Sequence, residues 1–141
     1  MSSVMSTAVS GLHAASKRVE ASASNIANSR NSIPVEDARF ADTPPTRPRS
    51  DPPVYEPVRV HQESVAGGGT RAEFVPVEPP HVRVYAPDDR LADEDGMIAR
   101  PNVDYAREFV NMNQAEHAYK ANIKVIATEN AMIGALLNET H

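Results

Sequence analysis

The chain has 141 residues, no cysteine, a formal charge of -5 and a pI near 5.5. An acidic chain without clustered Lys and Arg lacks the electrostatic footprint of a nucleic-acid binder, and one without thiols makes neither disulfides nor thiolate metal sites. Leu, Ile, Val and Phe number 28, about the 20% share at which a chain scarcely fills a core of its own, so the length accommodates one ordinary domain or a small domain with extended arms.

The first predicted element is a helix from Ser3 to about Asn28. Met5, Leu12, Val19 and Ile26 recur at strict heptad spacing, the pattern of a side-by-side helical seam. Ala8, Ala15, Ser16, Ser22 and Ala23 flank them; small flanks permit close approach but bury little area, so this helix should be weak by itself. Asn25, Asn28, Asn31 and Ser32 compete for the backbone at its end, and Pro34 forbids continuation. The segment holds no aromatic residue, and its cations are Lys17 and Arg18, which argues against binding a membrane surface.

From Pro34 to Pro57 the chain carries seven of its twelve prolines among Arg, Asp, Ser and Thr. That composition predicts an extended arm or linker, neither helix nor central strand. Beyond it, Val58 and Val60 alternate with polar neighbours, Gly67, Gly68 and Gly69 offer a reversal, and Ala72 and Phe74 resume the alternation. Val82 and Val84 share a face of a further short strand, His81 to Tyr85, while Pro76, Pro79 and Pro80 confine strands to short or edge positions. A small β module of two to four strands is expected.

The last element is a long helix from Val103 to about Glu139, with Pro101 and Asn102 as predicted stop and N-cap and Asp104 in the first turn. Phe109, Met112, Tyr119, Ile123, Ile126, Ile133 and Leu137 fall on alternating steps of three and four in which Glu116 and Asn130 are polar intrusions expected to set register. The chain leaves along one helix and returns along the other, so a compact solution pairs them antiparallel. The longer helix then keeps an uncovered stripe, with Ile133, Leu136 and Leu137 wet in a monomer.

Chemical sites are not suggested. No Gly-Lys-Ser/Thr follows Gly67 to Gly69, so the run is a hairpin turn and not a phosphate loop. Aligning Gly96 with the invariant glycine of a calcium loop puts Leu91 and Asn102 at ligand positions, so the acidic run Asp88 to Asp95 reads as a solvated turn. His13, His61, His81, His117 and His141 show no metal-ligand spacing. No catalytic constellation, cofactor or metal is expected. The N-terminus lacks the pattern of a cleaved signal peptide, and no stretch approaches the ~20 apolar residues of a membrane span.

Two motifs carry a family resemblance. Ala23-Ser24-Asn25-Ile26-Ala27-Asn28 resembles the signature that ends the N-terminal helix in axial proteins of the bacterial flagellum. Ala92-Asp93-Glu94-Asp95-Gly96, Pro101-Asn102-Val103 and Ala118-Tyr119-Lys120-Ala121-Asn122 resemble the FlgC family of basal-body rod proteins. The resemblance implies a subunit of the proximal rod, exported without a cleaved signal by the flagellar type III apparatus and polymerised with itself and other rod proteins into a helical tube. It also implies that Asn25, Ile26, Asn28, Tyr119, Asn122 and Ile123 lie in a packed inner layer of terminal helices.

The expected fold is therefore α+β and mainly helical: an assembly helix (1–32), a Pro-rich arm (33–57), a β module (58–100) and a second assembly helix (101–141) paired with the first in a coiled-coil seam. The expected assembly interface comprises Met5, Leu12, Val19, Asn25, Ile26, Asn28, Phe109, Met112, Tyr119, Asn122, Ile123, Ile126, Ile133 and Leu137. A soluble coiled-coil adaptor or export chaperone would share the stripes but should be helical and discrete in dilute solution, which circular dichroism of the purified chain reads.

Overall fold

A computed structural model of the chain describes residues 3–40 and 54–139; most of the Pro-rich arm, 41–53, lies outside the described residues. The architecture is α+β and mainly helical. Helix α1 (Ser3–Asn28) and helix α2 (Tyr105–Glu139) flank a 3-10 turn (Val35–Asp37) and four strands, β1 (Val58–Ser64), β2 (Thr70–Pro76), β3 (His81–Tyr85) and β4 (Met97–Pro101).

The helices lie against each other in opposite directions. Ser29 near the end of α1 meets Tyr105 at the start of α2, Ser22 meets Glu108, and Gly11 faces Asn122. Among the described residues the buried aliphatic set is seven alanines and Ile98. Such a set contributes little transfer energy, since fully burying one large aliphatic side chain is worth only about 1.5–3 kcal/mol. Close backbone approach and hydrogen bonding must supply the specificity of the pairing.

The strands form two separate antiparallel hairpins instead of one module. In β1–β2, Val58 pairs with Pro76 and Ser64 with Thr70, and Gly67, Gly68 and Gly69 all adopt positive φ at the reversal, as the glycine run predicts. This hairpin lies lengthwise along α1. Asn25 binds Val58 at one end, Lys17 Nζ donates to Ala72 O at 2.8 Å midway, and Thr70 N donates to Ser10 Oγ at the other. The lengths agree: fifteen helical residues at 1.5 Å rise and six strand residues at ~3.4 Å each span about 20 Å.

The second hairpin, β3–β4, pairs His81 with Pro101 and Tyr85 with Met97. Its fourth strand was not legible in the sequence, where Pro101 reads as a helix stop; it is instead the last, buried residue of β4. Ile33, just after α1, bridges the free edge of β4 through two 3.0 Å hydrogen bonds with Ala99. Both edges of β4 are thus covered, and Ile98 and Ala99 are fully buried. The N-cap of α2 is Asp104, whose Oδ1 accepts from Arg107 N at 3.2 Å. Asn102, the expected cap, instead donates its side-chain amide to Pro79 O.

The two roots of the Pro-rich segment come together. Arg39 N donates to Nδ1 of the buried His81, and Nε2 of the same ring lies 3.2 Å from Tyr55 O, so one imidazole clasps both strands of chain. Arg39 adds ion pairs to Glu56 and Glu78.

Candidate functional site

The surface of greatest interest is the helix pair, which uses one heptad for its own contact and leaves another outside. The inward row of α1 is Ala8, Ala15, Ser22 and, just past its end, Ser29, all buried. In α2 it is Glu108, Ala115, Asn122 and Glu129, buried or half-buried. Both rows are spaced by seven, but they carry small and polar side chains. Small residues let the backbones approach: Asn122 occupies the space where a β-carbon on Gly11 would sit.

A polar hub locks the lower half of the pair. Glu108, nine-tenths buried, accepts from Ser22 Oγ at 2.6 Å on one oxygen and from Asn25 Nδ2 at 2.8 Å on the other. Asn25 is almost fully buried; its Nδ2 also reaches Val58 O, and its Oδ1 accepts from Val58 N and from Tyr55 OH. One amide therefore joins both helices, the first hairpin and the end of the arm. Burial pushes the Tyr55 phenol above its ordinary value; the Ser24 hydrogen bond opposes this, and the charge of Glu108 adds to it. At the end of α1, Ser29 Oγ and Tyr105 OH lie 2.6 Å apart.

The expected interface residues divide by burial. Asn25 is consumed inside the chain. Met5, Leu12, Ile26, Asn28, Met112 and Ile126 are half-buried, as is Asn122, which lies in the inward row against Gly11. Val19, Phe109, Tyr119, Ile123, Ile133 and Leu137 are exposed, with Phe109 at 60% and Leu137 at 63%. Glu116 and Asn130 do not intrude into the contact; both are exposed, and Glu116 pairs with Lys120 one turn on. Sequence reasoning missed Glu108, Gly11 and Tyr55. The seven-residue spacing of Glu108, Ala115 and Asn122 was the available signal.

Helix α2 has 35 residues against 26 in α1, so at 1.5 Å per residue the longer helix overhangs by about 14 Å. Every residue from 130 to 139 is exposed, Met132, Leu136 and Leu137 by more than 60% each. Among the described residues no group of His, Asp and Glu is placed to hold a metal ion, and no helix is long and apolar enough to cross a membrane.

Comparison with known proteins gives the family of the chain. Residues 5–29, nearly the whole of α1, match the family described as "Flagella basal body rod protein", and residues 94–139, covering β4 and α2, match "Flagellar basal body rod FlgEFG protein C-terminal". The chain is 33% identical over 130 residues to the flagellar basal-body rod protein FlgC of Salmonella typhimurium, covering 92% of this chain and 90% of that one. The chain belongs to the FlgC family of flagellar basal-body rod proteins. FlgC of Escherichia coli O157:H7 is 32% identical over the same coverage, and FlgC of Agrobacterium fabrum is 28% identical over 98% of this chain and 94% of its own length. As a FlgC-family member the chain is a structural subunit of the basal-body rod and not an enzyme. The family matches fall on the two helices and β4, and most of the exposed large apolar side chains lie on the helices.

Proposed function

We propose that this chain polymerises as a subunit of the proximal rod through the outward faces of its terminal helices, giving a helical tube with itself and other rod proteins. One observation carries the reading: Phe109, Tyr119, Ile123, Ile133, Leu136 and Leu137 stay exposed on α2 because the chain spends small and polar residues on its own helix contact. Large apolar side chains on one long helix are a docking stripe, and a chain with so small a private core cannot cover them. Neighbouring helices would complete a coiled-coil layer around the tube, with the hairpins outside. Heterologous contacts whose rotation does not close generate a helical tube. The described roots of the Pro-rich segment, at Arg39 and Tyr55, are held together by His81. Export through the flagellar type III apparatus fits a chain of marginal core that orders fully only on assembly.

The test is imaging of basal bodies from cells that lack this chain, beside cells carrying Ile123→Asp. Loss of the shaft in the first and non-motility with normal chain abundance in the second are the expected results; an intact shaft without the chain overturns the reading.

A further inference from the structure

A groove of about 720 Å³ opens between α1, the start of α2 and the β1–β2 hairpin. Three arginines line it, Arg18, Arg59 and Arg107, together with Glu78, Asp104 and Glu108. The carboxylates are already engaged: Glu108 by Ser22 and Asn25, Asp104 as the α2 cap, Glu78 by Arg39. The guanidiniums are not. Arg18 reaches only the neutral Gln62 Oε1, and among the described residues no carboxylate forms an ion pair with any of the three. Each guanidinium offers five donors and no acceptor, so this lining keeps hydrogen-bonding capacity that the carboxylate oxygens of a partner can take up.

The same chain carries a matching plug. The turn joining β3 to β4 holds Asp88, Asp89, Asp93, Glu94 and Asp95, with Arg90 as its one cation. Asp88, Asp93, Glu94 and Asp95 are exposed. The turn is preformed: Ala86 N bonds Gly96 O at 2.9 Å, and Asp93 Oδ1 accepts from the backbone of both Asp95 and Met97. Gly96 adopts φ 72° hard against Tyr85, where any side chain would collide. A segment already in its bound shape loses little freedom on docking.

Their placement gives the contact a direction. Asn102, one residue beyond β4, lines the groove, whereas the acidic turn caps the opposite end of the same hairpin. Five strand residues at ~3.3 Å put the two about 16 Å apart, so one molecule cannot bring them together. Copies stacked head to tail can, and a heterologous contact of that kind propagates.

We propose that the acidic β3–β4 turn of one copy docks in the arginine-lined groove of the next, a contact between like subunits that fixes their order along the rod. The proposal rests on the rod-subunit reading and adds the partner and the register. Electrostatic complementarity of this sort sets specificity and encounter rate more than raw affinity.

The absence of cysteine makes the test clean. Arg59→Cys and Asp95→Cys are placed together in the full chain, and basal bodies isolated from cells expressing it are exposed to mild oxidant. A disulfide needs Cα atoms about 4.4–6.8 Å apart, so it cannot form within one molecule. A ladder of chain multiples that neither single variant gives supports the contact. Intact rods without a ladder, or a link to a different protein, overturn it and leave the rod reading standing. If the cysteine variants do not assemble, Arg59→Glu is combined with Asp95→Arg. Non-motility of the first single variant, restored at least in part by the second change, supports the contact; an unrestored double variant overturns it.

Discussion

Asn122 stands where Gly11 has no side chain: a β-carbon built on Gly11 would lie 2.6 Å from Asn122 Nδ2 and 2.7 Å from its Oδ1. Gly11 is mid-helix with ordinary backbone, so its role is close approach and not a special dihedral. The Asn122 amide is held by a 2.8 Å bond from Nδ2 to Ala118 O, which restricts its retreat.

Gly11→Ala is therefore expected to destabilise the helix pair despite better helix propensity. The propensity gain is about 1 kcal/mol, against overpacking of about 1–3 kcal/mol, for a net loss near 1 kcal/mol that thermal unfolding reads as a few degrees. Asn122→Ala in the same chain should return most of it. A Gly11→Ala protein more stable than the parent would show that the amide simply rotates away.

Two asparagines of one motif should differ sharply. Asn25→Ala removes the partner of a Glu108 oxygen and of Val58 N and leaves the Tyr55 hydroxyl with Ser24 alone, a loss of about 3 kcal/mol. Asn28 bonds only Ser24 O and Asn31 on its own helix end, so Asn28→Ala should cost under about 1 kcal/mol. Urea unfolding of the two variants decides, and equal losses would refute the hub.

Tyrosine ionisation should be ordered. The Tyr105 phenol is held below its ordinary value, first by its Ser29 hydrogen bond and then by hydrogen bonding and charge from Arg30, whereas burial raises that of Tyr55. For Tyr105 a lowered folded value means stability gained as pH rises through it. For Tyr55 a raised one means stability present below its ordinary value and lost as pH climbs toward the folded value. In an alkaline absorbance titration, Tyr105→Phe should remove the earliest part of the phenolate rise and Tyr55→Phe the latest. The reverse order would contradict both environments.

Exposed apolar residues separate folding from assembly. Leu136→Asp on the overhang changes a side chain 67% exposed in the single chain, so its effect on unfolding should stay within about 0.5 kcal/mol. Rod formation should be lost. Ala115→Asp, at a fully buried position of the helix contact, should instead unfold the chain. A motile Leu136→Asp strain would remove the overhang from the interface.

Much of this was legible in the chain itself. Proline and asparagine after Ala27 end α1, three glycines at 67–69 turn the first hairpin, and the apolar spacing from Phe109 onward calls for a long helix. These are local properties: backbone freedom, ring closure and periodicity act within a few residues. The identity of the contacting heptad was not local. Large apolar side chains at Met5, Leu12, Tyr119 and Ile133 have the stronger pattern, yet the chain pairs Ala8, Ala15 and Ser22 against Glu108, Ala115 and Asn122.

Sequence alone determined that a helix forms at each end and where each helix ends, that both are apolar on a stripe, and that the middle is short-stranded. The start of α2, by contrast, fell at Tyr105 behind an Asp104 cap and not at Val103. Only the tertiary structure decided which face is spent inside. Glu108 can be buried because Ser22 and Asn25, more than 80 residues away, supply its hydrogen bonds. No periodicity announces such a partner, since an acidic residue in a helix is ordinarily a solvated one until the fold brings donors to it.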